Sequence, residues 1–340
     1  MNTTELEATV RAMTARGKGL LAADESSGTI KKRFDSIGVE STETARRDYR
    51  QMLFTTPGLD EAISGVILYD ETLRQSADDG RSLASILQSK GIVPGIKVDK
   101  GTIVMAPGSG EKITEGFDGL AKRYEEYHQL GARFAKWRAV YCITDELPSP
   151  RNIRLNALGL ARYAAITQQS GLVPIVEPEV LMDGTHSIER CEQVTTVVLQ
   201  GVFEALAAEG VALELMVLKP NMVISGKECV VQANARQIAE ATVRCFRRTV
   251  PAAVPGIMFL SGGQNEVQAT ENLNAINALS ARHPWIFSFS YGRALQAPAL
   301  KAWQGKKDNV TAAQNAVQKR ALLNGAACRG EYQSQMEQAA

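Results

Sequence analysis

The sequence has few of the side chains that bind metals or form disulfides. Its three histidines, His128, His186 and His283, are far apart, and no pair has the close spacing of a helix-borne metal site. The five cysteines are odd in number and scattered, with no Cys-x-x-Cys pair. A reducing compartment suits such cysteines best, so we predict a cytoplasmic protein that holds no metal.

Long apolar runs and a net charge of one sign are also missing. The formal net charge is +1, so the overall field favours neither nucleic acid nor an anionic membrane as a partner. No apolar run approaches the roughly 20 residues that a membrane span needs. The segment Met1–Glu5 lacks the basic-then-apolar pattern of a signal peptide. We therefore expect neither a membrane nor a nucleic acid as partner.

Short apolar runs alternate with stretches of helical apolar spacing along all 340 residues, and no low-complexity linker divides them. This alternation predicts a parallel sheet with right-handed crossovers, and eight strands indicate closure into a single (β/α)8 TIM barrel over residues 1–340, with N- and C-terminal extensions. The predicted strands are Gly19–Asp24, Ile63–Asp70, Val93–Asp99, Arg133–Tyr141, Leu172–Glu179, Leu213–Lys219, Gly256–Ser261 and Trp285–Tyr291.

Polar residues end these strands one after another. In a parallel barrel all carboxyl ends of the strands lie on one rim, where active sites are found. Because side chains alternate along a strand, residues two apart share a face. Three charged pairs have that spacing, and we expect them to converge in one pocket: Lys97 with Asp99, Lys136 with Arg138, and Glu177 with Glu179.

Lys219 closes the apolar segment Leu213–Leu218 and should be poorly solvated. A lysine amine without its proton attacks a carbonyl carbon and forms an imine, which serves as an electron sink. Imine chemistry needs a proton relay, and a carboxyl group with a raised pKa, such as Glu177 or Glu179, can supply it. Asp24 is a third inward carboxylate. The alternative, a lysine that snorkels to solvent, is disfavoured by the converging pocket.

Two stretches after the last strands suit a phosphate group. They are Ser261-Gly262-Gly263 and Ser290-Tyr291-Gly292-Arg293, whose glycines allow close backbone approach and whose arginine can bind an anion bidentately. The basic triplet that ends in Arg33 can form a second anion clamp with Lys97 and Arg138. Two anion sites that flank one imine lysine predict a sugar bisphosphate as substrate.

Seven blocks in order resemble class I fructose-1,6-bisphosphate aldolase, with weaker similarity over nearly the whole span between them. The blocks are Leu20–Gly28 (LLAADESSG), Gly95–Gly101 (GIKVDKG), Phe134–Arg138 (FAKWR), Val173–Val180 (VPIVEPEV), Leu218–Val223 (LKPNMV), Phe259–Gln264 (FLSGGQ) and Phe289–Gln296 (FSYGRALQ). Such an ordered series is more specific than any single motif.

The resemblance implies reversible cleavage of fructose 1,6-bisphosphate to dihydroxyacetone phosphate and glyceraldehyde 3-phosphate, a step of glycolysis and gluconeogenesis, with no cofactor. It implies an imine on Lys219, proton transfer by Glu177, and a homo-oligomer, commonly a tetramer. Supporting catalytic groups would be Glu179, Lys136 and Asp24. Substrate would be bound by Ser261, Gly262, Gly263, Ser290, Gly292 and Arg293 at the 1-phosphate, and by Arg33, Lys97, Arg138 and Arg46 elsewhere.

The C-terminal tail departs from the family pattern, in which animal enzymes end in a tyrosine that aids proton exchange on the enamine. This sequence ends in Gln338-Ala339-Ala340, and its last tyrosine is Tyr332. Either Tyr332 substitutes or the enzyme works without a terminal tyrosine. We expect the tail from roughly residue 325 to residue 340 to be mobile. The departure leaves open the rate of enamine protonation and the preference between the bisphosphate and fructose 1-phosphate.

Three other functions fit parts of the pattern. A transaldolase or deoxyribose-phosphate aldolase would also use an imine lysine, but it would need one strong phosphate clamp where this chain offers two. A pyridoxal-phosphate barrel enzyme also combines a lysine with a phosphate loop. A binding protein built on a disabled aldolase barrel would share the fold, although every matched catalytic position is retained here.

Overall fold

The structure is a computed structural model that describes residues 3–108, 110–279 and 283–338. Its strands are β1 (Gly19–Ala23), β2 (Ile63–Leu68), β3 (Val93–Lys97), β4 (Thr102–Val104), β5 (Lys112–Thr114), β6 (Phe134–Tyr141), β7 (Val173–Val180), β8 (Val217–Leu218), β9 (Gly256–Phe259) and β10 (Ile286–Tyr291). Eight of them close into a barrel in the order β1-β10-β9-β8-β7-β6-β3-β2. All neighbours in this barrel are parallel, so the predicted (β/α)8 fold is confirmed.

Helices connect the strands and cover the outside of the barrel. They are α1 (Thr3–Met13), α2 (Ser27–Asp35), α3 (Glu43–Thr55), α4 (Asp70–Arg74), α5 (Leu83–Ser89), α6 (Leu120–Gln129), α7 (Pro150–Gln169), α8 (Ile188–Ala208), α9 (Ala235–Thr249), α10 (Glu266–Ala278), α11 (Arg293–Trp303) and α12 (Val310–Cys328). Short 3-10 turns occupy Leu59–Glu61, Leu213–Leu215, Lys307–Asn309 and Ser334–Glu337. Every residue of β1, β2, β7 and β9 is buried, as expected for parallel strands covered on both faces.

Helix α1 closes the amino end of the barrel. Its apolar residues Leu6, Val10 and Met13 are buried in a cluster with side chains from the barrel strands, among them Phe134 and Met258. The i, i+4, i+7 spacing of the three residues places them on one face of the helix. The predicted N-terminal extension is therefore a plug in the lower end of the barrel.

The predicted strand Leu213–Lys219 is wrong in its first half. Residues Leu213–Leu215 form a 3-10 turn, and β8 is limited to Val217 and Leu218. A side chain provides hydrogen bonds to the backbone carbonyl groups here in place of a neighbouring strand. The Gln168 amide donates to the carbonyl oxygens of Ala212 (2.8 Å) and Leu215 (3.1 Å). Gln168 lies 44 positions before Ala212 in the sequence. The sequence around Leu213–Leu215 therefore gives no sign that the strand is interrupted there.

The hairpin of β4 and β5 was not predicted. It pairs Thr102 with Thr114 in antiparallel register and lies outside the barrel, between β3 and α6 along the chain. Each strand has three residues, too few for an alternating pattern to stand out. Ile103 and Val104 of the hairpin are exposed, which also departs from the usual buried face of a strand.

The described part of the C-terminal tail packs against the barrel domain, and the mobility of the segment from roughly residue 325 stays a prediction. Helix α12 continues to Cys328, and the last 3-10 turn ends at Glu337. Tyr332 is buried in the main hydrophobic core, and its backbone N–H donates to Asn274 Oδ1 at 2.9 Å. Residues Ala339 and Ala340 lie outside the described residues.

Candidate active site

Lys219 follows directly after β8 and lies at the carboxyl rim of the barrel. Its backbone N–H donates to the carbonyl oxygen of Val176 at 2.8 Å, which extends the pairing of β8 with β7 by one residue. The residue is 3% exposed, and its Nζ lies 3.1 Å from Glu177 Oε1. A buried ammonium group is costly unless it is paired, and Glu177 provides that pairing.

Lys136 of β6 lies on the other side of Glu177. Its Nζ is 2.8 Å from Glu177 Oε2 and 3.1 Å from Asp24 Oδ2. Asp24 follows β1 on the opposite side of the barrel, so this network reaches across the rim. Four side chains thus form a continuous chain in the order Asp24, Lys136, Glu177 and Lys219.

The cations in this network of four side chains lower the pKa of both of its carboxyl groups, those of Glu177 and Asp24. Burial raises the pKa of Glu177, but the cations of Lys136, Lys219 and Arg138 lower it more, and it lies below its ordinary value. Burial also opposes ionisation of Asp24, but the cations of Lys136, Lys219 and Lys97 together outweigh it, and the pKa of Asp24 lies below its ordinary value. The expectation of a raised pKa for Glu177 is therefore wrong, because three cations face one carboxylate.

Two further ion pairs lie beside this network of four side chains. The guanidinium of Arg138 pairs with the carboxylate of Glu179. The Lys97 ammonium donates to Asp99 Oδ1 at 2.6 Å and to the Asp99 carbonyl oxygen at 2.9 Å. Of the three same-strand pairs expected to converge in one pocket, Lys136 with Arg138 and Glu177 with Glu179 line one cavity. Lys97 lines it too, whereas Asp99 lines a neighbouring cavity.

The two glycine-containing stretches after β9 and β10 approach each other. Gly262 and Gly263 have φ values of +52° and +88°, a region that favours glycine. A Cβ atom at Gly263 would also lie 2.5 Å from the sulfur of Met182 and 3.3 Å from Nη2 of Arg293. The Ser290 hydroxyl is buried and has no hydrogen-bond partner, so it is available to a ligand.

One cavity of about 550 Å³ collects the predicted site residues. Its lining includes Asp24, Arg33, Lys97, Lys136, Arg138, Glu177, Glu179, Lys219, Ser261, Gly262, Gly263, Ser290, Gly292 and Arg293. Of the predicted set, Arg46 alone is absent from this lining. Its guanidinium is held by Glu71 through contacts of 2.7 and 2.6 Å and by the carbonyl oxygen of Ser41 at 2.6 Å.

The cavity also contains two hydroxyl residues that sequence reasoning did not select. Ser26 lies in the loop before α2 and Thr29 in the first turn of that helix. Ser26 belongs to the LLAADESSG block and Thr29 follows it, so hydroxyl residues near that block were the available signal. Lys32, from the basic triplet expected in the second anion clamp, also lines the cavity. Arg33 itself pairs with Glu25, which is buried and is also held by Arg50 at 2.6 Å.

Tyr332 lies away from this cavity. Its hydroxyl donates to Glu337 Oε1 at 2.9 Å, and its side chain belongs to the main core. Burial and the adjacent carboxylate of Glu337 raise the pKa of Tyr332 to about 12. Of the two alternatives for the tail, this position disfavours Tyr332 as a substitute for a terminal tyrosine.

A water-shielded lysine at the carboxyl rim can attack a carbonyl carbon, and the surrounding arginines and lysines favour anions. The fold and cavity therefore define a barrel enzyme that acts on an anionic carbonyl compound. Within the described residues, no group of three or more His, Cys, Asp or Glu side chains could hold a metal ion. None of the helices in the described ranges has the length and apolar character needed to cross a membrane.

Comparison with known proteins identifies the family. The sequence pattern described as "Glycolytic: Fructose-bisphosphate aldolase class-I" matches residues 5–340. A probable fructose-bisphosphate aldolase class 1 of Xylella fastidiosa is 52% identical over 333 residues, which cover 98% of this chain and 99% of that protein. The cytoplasmic isozyme of fructose-bisphosphate aldolase from Spinacia oleracea is 54% identical over 329 residues, or 97% of this chain and 92% of the relative.

A solved structure agrees with these relatives. The fructose-bisphosphate aldolase of Plasmodium falciparum, crystallised with TRAP and a small-molecule inhibitor, superposes with a TM-score of 0.96 at 52% identity, over 97% of this chain and 96% of that one. The chain belongs to the class I fructose-bisphosphate aldolase family. The predicted family, barrel and aldehyde-lyase activity through a Schiff base are confirmed.

Proposed function

We propose that Lys219 forms the imine through which this chain reversibly cleaves fructose 1,6-bisphosphate to dihydroxyacetone phosphate and glyceraldehyde 3-phosphate. The observation that carries this assignment is the 3.1 Å contact between Lys219 Nζ and Glu177 Oε1 inside a cavity lined by basic side chains. The contact places an amine nucleophile beside a proton donor and acceptor, which is the pairing that carbonyl condensation requires.

The reaction begins when the unprotonated Lys219 amine attacks C2 of the ketose. Glu177, supported by Lys136 and Glu179, gives a proton to the C2 hydroxyl, which leaves as water and produces a protonated imine. At the preceding carbinolamine stage the Lys219 ammonium charge is gone, and the substrate phosphates add negative charge. Both changes raise the pKa of Glu177 from its value beside the protonated Lys219, so the carboxyl group can carry a proton when it is needed.

Cleavage follows from the protonated imine. A carboxylate of the site removes the C4 hydroxyl proton, the C3–C4 electron pair moves to the imine, and glyceraldehyde 3-phosphate leaves. The remaining enamine takes a proton at C3, and water hydrolyses the imine to release dihydroxyacetone phosphate and restore Lys219. Asp24 contacts Lys136 at 3.1 Å, and we assign it the task of holding that ammonium group against Glu177.

Two anion clamps position the substrate. We assign the 1-phosphate to Arg293, to the start of α11 and to the loop after β9, with the full set being Ser261, Gly262, Gly263, Ser290, Gly292 and Arg293. We assign Arg33, Lys97 and Arg138, which line the same cavity, to the other end of the ketose. Arg46 is assigned no direct contact, because its guanidinium donates bidentately to Glu71 through Nε and Nη2. Such positioning contributes several kcal/mol to catalysis, within the roughly 7–11 kcal/mol available from orientation.

Borohydride reduction in the presence of dihydroxyacetone phosphate tests the central assignment. We expect one stable adduct on Lys219 in the wild-type protein and none on the Lys219→Arg variant. Equal labelling of both proteins would show that another lysine forms the imine. Cleavage should also survive EDTA, and a loss of activity that zinc restores would indicate a metal-dependent route instead.

We further propose that the protein is cytoplasmic, binds no nucleic acid, and forms a homo-oligomer, most simply a tetramer. Relatives from Arabidopsis thaliana and Spinacia oleracea carry the terms cytosolic and cytoplasmic in their names, which supports the location. A groove of about 880 Å³ between α7 and α8 exposes Leu158 and Val197, and an uncovered apolar surface of this kind supports self-association. Light scattering of the wild type and of Val197→Asp measures the mass in solution.

A further inference from the structure

The C-terminal tail is held against α12 by contacts that Arg320 and Lys319 make to Glu337. Both oxygens of Glu337 lie 2.6 Å from Nη1 of Arg320, and the Tyr332 hydroxyl donates to Oε1 at 2.9 Å. Lys319 Nζ also donates to the Glu337 carbonyl oxygen at 2.7 Å. Arg320 is 3% exposed, so its contacts with Glu337 are shielded from water.

The same guanidinium reaches the first turn of α10. Nη2 of Arg320 donates to the Glu266 carbonyl oxygen at 2.8 Å and to the Thr270 hydroxyl. Glu266 is the first residue of α10, which begins directly after the loop Ser261–Asn265. Arg320 therefore joins the tail on one side to the start of α10 on the other.

Helix α10 in turn holds the loop after β9. The Asn272 amide donates to Gln264 Oε1 at 2.6 Å. Gln264 closes the loop on itself, because its backbone N–H and its side-chain amide both donate to the Ser261 carbonyl oxygen, at 2.9 and 3.0 Å. A displacement of α10 would therefore be transmitted to Ser261, Gly262 and Gly263.

We propose that Glu337 is a positioning residue for the 1-phosphate site and acts through Arg320 and α10. An arginine keeps its positive charge at any accessible pH, and a buried cation without a counterion is strongly destabilised. Within the described residues, Glu337 is the one carboxylate that pairs with Arg320. Without that charge the guanidinium would turn toward water and release Glu266, and the phosphate loop would lose its support.

This inference rests on the proposed role of the Ser261–Gly263 loop in binding phosphate. The test compares Glu337→Gln with Glu331→Gln, a matched control in the same tail whose carboxylate forms an exposed pair with Arg329. The probe is inorganic phosphate, with its Kd measured by calorimetry. We expect Glu337→Gln to raise the Kd roughly three- to tenfold, the range typical of coupling through a side-chain network. Glu331→Gln should leave it unchanged.

Kinetics separate positioning from a general loss of structure. In Glu337→Gln the KM for fructose 1,6-bisphosphate should rise by the same factor as the phosphate Kd, while kcat stays within about twofold of the wild type. Glu337→Asp retains the charge and should restore most of the affinity. An unchanged Kd and KM in Glu337→Gln, with faster amide exchange at Tyr332, would show that the tail was released without affecting the site and would overturn the inference.

Two further measurements keep the outcome decisive. If Glu337→Gln does not fold, Tyr332→Phe removes one hydrogen bond to Glu337, and it should raise the phosphate Kd in the same direction by a smaller factor. If the wild type neither cleaves the bisphosphate nor binds phosphate, the proposed function fails on its own. Amide exchange at Ser261–Gln264 then decides the coupling, since faster exchange in the variant supports it and equal exchange overturns it.

Discussion

Oε1 of Glu177 lies 3.1 Å from Nζ of Lys219, and both side chains are almost completely buried. The other oxygen of the same carboxylate faces Lys136 at 2.8 Å. One carboxylate is therefore shared by two ammonium groups. Attack by Lys219 on a carbonyl removes one of these positive charges, so the balance of charge around Glu177 depends on the stage of the reaction.

Replacing Glu177 by glutamine should reduce turnover far more than substrate binding. The substitution preserves size but removes the proton relay, and we expect kcat to fall by roughly 100- to 10,000-fold, the usual contribution of general acid–base catalysis. KM should change by only a few fold, since the anion clamps are untouched. Steady-state kinetics with fructose 1,6-bisphosphate provides both values.

The control for this prediction is Glu209→Gln, which alters an exposed carboxylate at the end of α8. Its kinetics should match those of the wild type. If Glu177→Gln kept full turnover, another group, with Glu179 or Asp24 the nearest alternatives, would have to carry the proton.

Arg33→Ala should change substrate preference. Arg33 lines the cavity, and we assign it to the distal phosphate, which fructose 1-phosphate lacks. We expect kcat/KM for the bisphosphate to fall roughly tenfold or more, as for loss of a charged hydrogen bond, and kcat/KM for the monophosphate to stay nearly constant. Arg293→Ala should impair both substrates, because both carry the 1-phosphate. Equal losses on the two substrates in Arg33→Ala would contradict the assignment of ends.

The stability contributed by Asp24 should disappear in acid. Burial alone would raise its pKa, but Lys136, Lys219 and Lys97 hold the pKa below its ordinary value of 3.8. Stabilisation by a carboxylate of lowered pKa is complete above the unfolded-state value and is lost as the pH falls through the folded-state value. The wild type should therefore exceed Asp24→Asn in free energy of unfolding at neutral pH, and the gap should narrow below about pH 4.

Urea unfolding of both proteins across this range measures the gap. Asp145→Asn, which alters an exposed carboxylate, serves as the control and should stay close to the wild type at every pH. A gap between Asp24→Asn and the wild type that stays constant from neutral pH into acid would mean that the ionised form of Asp24 is not the stabilising one.

Leu6→Ala should destabilise the fold without changing the chemistry. Leu6 is completely buried where α1 fills the lower end of the barrel. A leucine-to-alanine change at such a position costs about 2–5 kcal/mol in free energy of unfolding. The matched change Val230→Ala, at a side chain that is 99% exposed, should stay within about 0.5 kcal/mol. If the folded Leu6→Ala variant had a lower kcat, the packing of α1 at the amino end would influence the chemistry at the carboxyl rim, against this prediction.

Much of the fold and site could be predicted because strand-terminal polar residues carry a geometric consequence. Once parallel strands close into a barrel, Lys136, Glu177 and Lys219 must meet at one rim, whatever the lengths of the helices between them. Which residue ends each strand, and how far apart the polar residues lie, can be read directly from the sequence. The convergence of the predicted residues in one cavity follows from this rule.

What could not be predicted depends on partners that are distant in sequence. The pairing of Arg46 with Glu71, the capture of the Leu215 carbonyl oxygen by Gln168, and the network of Glu337 each join segments through side chains. The pKa of Glu177 belongs to the same class, since its direction is set by three cations from other strands. No periodicity in the sequence records such contacts.

Because α1 fills the amino end of the barrel, the cavity around Lys219 opens at the carboxyl rim. Under the proposed mechanism, substrate enters and both products leave on that side. When the C3–C4 bond breaks, the aldehyde is free while the triose is still bound covalently to Lys219. The aldehyde therefore leaves first, and in the reverse direction the triose must be loaded before it.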